Sequence, residues 1–327
     1  MENPRAETTE EEVEREHAEL GLPPVEEEVV RPGKPPLMQV VTYLVMAMLL
    51  ALVAYFLYQL FIGKHERTGS EILVQTFHDP MFWSAVVVGF VAQVIDGALG
   101  MAYGVTSSSF LLAAGASPVM ASGATHLAEV FTTGISGVSH LRMGNVNKKL
   151  FLSLVIPGVT GGLIGTYVLS SIDGSVLKPW ISGYLLIMGL YVLSKAFRRV
   201  ILVRTDVSPA KVAPLALFGS FMDTTGGGGW GPIVTTSLVG AGHDPRTTIG
   251  SVNFAEFFLT VAVSAAFFSI LDDSVWLIVG GLVVGGMFAA PFAAYITRHI
   301  KTRFLLVMVG TLISLISAYN LYSTLSH

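Results

Sequence analysis

Residues 96–133 recur without a gap at 223–260, and this duplication constrains the chain more than any other feature of the sequence. Asp96 falls on Asp223, Gly100 on Gly227, Gly104 on Gly231, Gly115 on Gly242, Pro118 on Pro245, Ala128-Glu129 on Ala255-Glu256 and Thr133 on Thr260. Chance likeness between two apolar stretches would pair Leu, Val and Ala. It would not hold Asp, Pro and Glu in one register. A chain of this kind is expected to fold as two copies of one structural unit.

The unit belongs in a membrane. The chain of 327 residues is 52% hydrophobic and 13% charged, where a soluble domain carries roughly 25% charged residues. A span needs ~20 mostly apolar residues. Leu37–Ile62, Met120–Leu141, Leu150–Ile172, Trp180–Phe197, Thr248–Leu271, Val275–Ile296 and Phe304–Leu325 meet that requirement. Met81–Ala114 and Ala213–Ala241 are apolar but interrupted, at Asp96-Gly97-Ala98-Leu99-Gly100 and at Asp223-Thr224-Thr225-Gly226-Gly227-Gly228-Gly229. Each interrupted region reads as two half-helices joined by a Gly-rich tip at membrane depth, the second halves beginning near Tyr103 and Gly231. The expected fold is an all-α membrane protein of two inverted-topology repeats, each a broken hairpin plus three transmembrane helices. An extra transmembrane helix over 37–63 precedes repeat 1 (80–199) and repeat 2 (209–325).

Charge is distributed unevenly. Residues 1–36 hold eleven Glu against Arg5, Arg15, Arg31 and Lys34, a net of −7 within a whole-chain −4, so the remainder is +3. That segment, Glu-rich with six prolines, reads as an acidic disordered cytoplasmic tail, with room for a short helix over Glu10–Leu20. It lacks the basic start and early apolar core of a signal peptide. Lys and Arg concentrate in the loops Arg142–Lys149, Arg198–Lys211 and Arg298–Arg303, and are sparse at Asp173–Lys178 and Asp272-Asp273. Basic loops favour the cytoplasm. Placing them there makes the two halves antiparallel, with the N-terminus inside and the C-terminus outside a multi-pass cell-membrane protein; Lys64 and Arg67 then fall outside, against the trend. Nothing suggests a nucleic-acid surface. The absence of cysteine removes disulfides and thiolate metal sites, and no cofactor or metal is expected.

Four acidic residues lie in apolar segments, in two repeat-related pairs: Asp96 with Asp223, and Glu129 with Glu256. Each costs ~2.5–3.5 kcal/mol on insertion scales. Two readings stand for the aspartates, a helix cap or a ligand to the transported solute. Glu129 and Glu256, mid-helix, read as proton-coupling residues, with His126 and its repeat partner Asn253 beside them. The tips offer a second device. Glycine lets backbone approach a ligand, and a helix N-terminus exposes free N–H groups and a partial positive charge. Two tips meeting from opposite sides near the midplane would bind an anion without a buried arginine. The substrate-binding candidates are therefore Asp96, Gly97, Gly100, Tyr103, Asp223, Thr224, Thr225, Gly226, Gly227, Gly228, Gly229 and Trp230. Gly161, Gly165, Gly183 and Gly189 read instead as helix-packing glycines.

The succession of an Asp in a Gly-rich break, a small-polar half-helix, a turn at Pro118 or Pro245 and a helix with Glu129 or Glu256 resembles the TauE/SafE family of sulfite and organosulfonate exporters. The likeness covers about residues 80–325; the acidic tail and the helix Leu37–Ile62 look like additions to the family core. The resemblance implies export of sulfite, a sulfonate or a related small anion, with the lipid bilayer and a coupling proton as further partners. The residues themselves establish a small solute. A proton- or cation-coupled carrier that uses the four carboxylates remains an alternative reading. An intramembrane enzyme using Ser107 or Ser109 with His126 has neither a GxSxG elbow nor an HExxH pair behind it.

Overall fold

The computed structural model describes residues 4–20, 36–62, 69–99, 101–197, 208–271, 275–299 and 301–326. Among them the chain is helical throughout. The helices run α1 Pro4–Leu20, α2 Pro36–Ile62, α3 Gly69–His78, α4 Pro80–Leu99, α5 Tyr103–Ala113, α6 Pro118–Met143, α7 Lys148–Ser171, α8 Gly174–Lys195 and α9 Pro209–Gly226. A π-helical turn, Trp230–Thr235, leads into α10 Thr236–Gly240, followed by α11 Pro245–Phe268, α12 Val275–His299 and α13 Thr302–Leu325. Four of these, Lys148–Ser171, Gly174–Lys195, Pro245–Phe268 and Arg303–Leu325, are long and apolar enough to cross a membrane.

Local chemistry sets the boundaries. Ser117, Asn147, Asp173 and Asp244 each accept a backbone N–H from the first turn that follows them, which satisfies one of the donors a helix start leaves free. Pro118 and Pro245 follow two of these caps, where a missing N–H costs nothing. Gly144 ends α6 with a positive φ.

Packing pairs α4 with α12, α7 with α9, α8 with α13 and α6 with α11. Small residues make the close approaches. A Cβ on Gly285 would meet the Val86 carbonyl and Phe90 backbone, one on Gly161 the Leu217 carbonyl, and one on Gly189 Ser314. Without a hydrophobic force between helices in lipid, such contacts supply the association. Gly183 departs from the expected packing role, because a Cβ there meets nothing within 4 Å. The outward faces carry bare apolar side chains, among them Ile156, Tyr167, Trp180 and Ile187, as a lipid-facing surface requires. α6 is the opposite case. Its buried residues include Ser122, Thr125, His126, Glu129 and Thr133, so it lies inside the bundle with polar groups facing protein.

Two expectations change. Pro4–Leu20 is helical, not disordered. Val13, Glu16, His17 and Leu20 are its buried residues, spaced i, i+3, i+4, i+7 on one face, and that face packs on α12 and α13. Residues 21–35 lie outside the described part. The expected break at Asp96–Gly100 also shifts: α4 continues as helix to Leu99, and Asp96 occupies its last turn. Asp223 likewise stands in the last turns of α9. Both aspartates therefore end the incoming helix rather than begin the outgoing one.

Candidate functional site

The two breaks meet each other. A Cβ on Gly104 would come 3.0 Å from the Gly228 Cα, and one on Gly231 would come 3.1 Å from the Met101 Cα. Only glycine allows this approach at residues 104 and 231. Gly228 itself holds φ +138, and a Cβ there would strike the Val105 backbone. Tyr184 on α8 braces the tip, its hydroxyl donating to the Gly228 carbonyl at 2.7 Å.

Asp223 organises the second break. Its Oδ1 accepts the backbone N–H of Gly229 at 2.7 Å and of Trp230 at 3.0 Å. The aspartate thus caps the outgoing π-turn from the incoming helix, in the way that Asp96 faces the backbone N–H of Tyr103. Asp223 Oδ2 lies 3.2 Å from His126 Nε2. His126 Nδ1 lies 2.8 Å from the Ser122 carbonyl. A carbonyl only accepts, so Nδ1 carries a hydrogen. Both side chains of the pair are buried, His126 1% exposed and Asp223 3%. Ser122 ties the assembly to α9 by donating to the Thr224 carbonyl at 2.7 Å.

Asp96, Glu129, Asp223 and Glu256 all line one cavity of about 20 Å³, together with Tyr103, Gly229, Pro232 and others. One water needs ~10–15 Å³ on this measure, so the cavity has room for about one water. Four carboxyls at one cavity repel one another when charged, a repulsion that a cation among them would offset.

The structure brings together Asp96, Tyr103, Asp223, Gly229, Glu129 and Glu256 at the cavity, with His126 behind Asp223. Gly228 is at the meeting point. Trp230 is buried and donates its indole N–H to the Val252 carbonyl at 3.3 Å. Gly226 and Gly227 form the turn beyond the cavity wall, where Cβ atoms would meet Tyr184 and Ser108. Thr225 bonds back to the Phe221 carbonyl, and Thr224 contributes its carbonyl to Ser122. Gly97 lies in the last turn of α4; Gly100 is outside the described residues. Asn253 is not brought to the site: its amide donates to Ser136 at 3.1 Å. Sequence reasoning missed Tyr184 and Lys195 on α8. Lys195 Nζ lies 2.8 Å from the Met101 sulfur and 2.8 Å from Thr236 Oγ1. Its place in the last turn of an apolar helix was the available signal, since a lysine there can run its stem back along apolar surface.

A bundle with an apolar outer face, whose broken helices meet at a buried polar cavity, has the architecture of a membrane transporter. The comparisons agree and are more specific. Residues 85–320 match the family model described as Sulfite exporter TauE/SafE, and the chain belongs to that family. It is 44% identical over 241 residues to the probable membrane transporter protein YtnM of Bacillus subtilis (strain 168), across 72% of this chain and 80% of the relative. It is 22% identical over 263 residues to YunE of the same organism, a probable membrane transporter protein, across 72% of this chain and 96% of that one. The probable membrane transporter protein ORF9 of Sinorhizobium sp. is 27% identical over 111 residues, 34% of this chain and 41% of its own. No solved structure matches the chain.

Proposed function

We propose that the protein exports a small anion, sulfite or an organosulfonate, by alternating access about the point where the two Gly-rich breaks meet. The observation that carries this reading is the contact between the tips around the shared cavity. The family supports the substrate class. Inverted repeats over 80–199 and 209–325 explain why contacts recur at the offset of the sequence duplication. Asp96 faces Tyr103 as Asp223 faces Trp230. Ser117 and Asp244 cap with the same geometry. Thr133 and Thr260, repeat partners, touch each other at 3.4 Å, as residues beside a pseudo-twofold axis would. On this reading α2 is an addition outside the repeats, and the basic loops and N-terminus face the cytoplasm.

Asp223 plays the part of a resident anion. Its carboxylate holds the amides that a substrate anion would use. Protonation through His126 would neutralise it and free those amides, so proton uptake and anion binding support each other. A second reading has its own support in the same contacts: a proton- or cation-coupled carrier in which the four carboxylates hold the transported ion.

The test uses purified protein in vesicles. Sulfite and methanesulfonate should stabilise it thermally and drive counterflow of labelled anion. Affinity should rise as pH falls, and Glu256→Gln should keep binding while flattening that slope. Counterflow of a cation with no response to either anion would favour the carboxylate carrier instead.

A further inference from the structure

Lys195 is a half-buried ammonium held by two neutral partners. One is a thioether, a weak acceptor, and the other a hydroxyl, each at 2.8 Å. A cation drawn this far into protein ordinarily has a carboxylate beside it. Among the described residues none is paired with Lys195, although four carboxyls line the cavity on the other side of Met101. Met101 is therefore a partition. It lines the cavity, it is 6% exposed, and its Cα and Cβ press against Gly231. The thioether stands between this cation and the acidic cluster. The lysine stands at the end of α8, beside the cavity wall at Met101.

We propose that Lys195 is an anion-capturing residue: it takes hold of a small oxyanion at the mouth between Met101 and Thr236, before that anion reaches the cavity. The proposal rests on the anion-transport reading. An arriving oxyanion offers the ammonium charged acceptors in place of a sulfur and a hydroxyl. The ammonium turns to it, Met101 keeps only the longer 3.7 Å contact from the Thr236 hydroxyl, and a flexible unbranched side chain is free to swing from the cavity wall. Thr236 keeps a hydroxyl at the same point to share the anion.

The experiment compares the native protein with Lys195→Met and Lys195→Arg in detergent and in vesicles, using sulfite and methanesulfonate as probes. Lys195→Met should bind both ~10–100-fold more weakly, the range for a lost charge-assisted hydrogen bond, with an unliganded Tm near native. Lys195→Arg should stay within a few-fold. The chain has no cysteine, so Lys195→Cys supplies a unique thiol. Alkylation with 2-bromoethylamine replaces bromide by sulfur and rebuilds a side chain of lysine's length and charge. It should restore affinity, while iodoacetamide, which leaves a neutral group, should not. Methanesulfonate, which unlike sulfite does not itself consume the alkylating reagent, should slow either alkylation. Native protein that binds while Lys195→Met binds equally well overturns the role of Lys195 and leaves anion transport standing. Native protein that responds to neither anion overturns both. Restoration by the neutral adduct would make Lys195 a packing residue and sink the proposal even if Lys195→Met folds poorly.

Discussion

Asp223 makes three polar contacts with two oxygens, and the two oxygens do separable work. Oδ1 satisfies two buried amides, and Oδ2 lies against His126 Nε2. Asp223→Ala should orphan both amides at ~1–3 kcal/mol each and lower Tm markedly. Asp223→Asn keeps an acceptor for the amides and places an NH₂ against Nε2. It should fold like the native protein and bind anion with a weakened pH dependence. Equal pH slopes for Asn and native protein would remove the Asp223–His126 pair from coupling. A second contrast concerns glycine. Gly228→Val should abolish anion binding, because positive φ and the Val105 backbone both forbid its side chain. Gly183→Val has open space and should alter neither Tm nor binding. The acids and the Gly-rich tips were legible because charge and flexibility are conspicuous in apolar segments. Asn253 was misplaced because the repeat equates it with His126, yet a short amide cannot reach where an imidazole Nε2 reaches. Tyr184 and Lys195 were missed for another reason: they come from a helix outside the duplicated segment, and only packing brings α8 to the tip.

At the scale of elements, boundaries were legible wherever a capping residue stood before Pro or an apolar run, as at Ser117-Pro118 and Asp244-Pro245. The acidic tail was harder. Its composition argues for solvation, and only the four-residue face Val13, Glu16, His17, Leu20 argues for a docked helix. The docking is electrostatic at its rim. Lys301 pairs with Glu12 at 2.9 Å, and Arg303 with Glu19 at 2.6 Å. The Lys301 ammonium beside Glu12 holds its carboxyl below the ordinary 4.5. A depressed carboxylate stabilises the docked state above its free value and loses that contribution as pH falls through the lowered one. Both groups of the Lys301–Glu12 pair are exposed, so salt should screen it. Amide protection in α1, measured against the intrinsic exchange rate at each pH, should therefore fall in high salt, again below the ordinary carboxylate range, and in Arg303→Ala at neutral pH. Exchange of α1 that ignores both salt and Arg303→Ala would mean that the apolar face alone holds it.

The whole molecule poses the question of sidedness. α1 docks where α12 gives way to α13, so the tail and the basic loop Arg298–Arg303 share one side of the protein. This contact is independent of the charge bias that placed both in the cytoplasm. The same side must then receive the α6–α7 turn at Lys148 if the halves are antiparallel, because α6 and α11 are repeat partners that start from opposite faces. The loop at Asp272, between α11 and α12, lies outside the described residues, and its side follows only from counting crossings. The cysteine-free background makes this direct to test. Lys148→Cys and Asp272→Cys should react with an impermeant maleimide from opposite sides of sealed vesicles, with Lys148→Cys and a thiol at Glu12 on the same, cytoplasmic, side. Labelling of positions 148 and 272 from one side would exclude the inverted arrangement. It would also remove the pseudo-twofold symmetry on which the proposed opening of the cavity, first beside Lys195 and then away from it, depends.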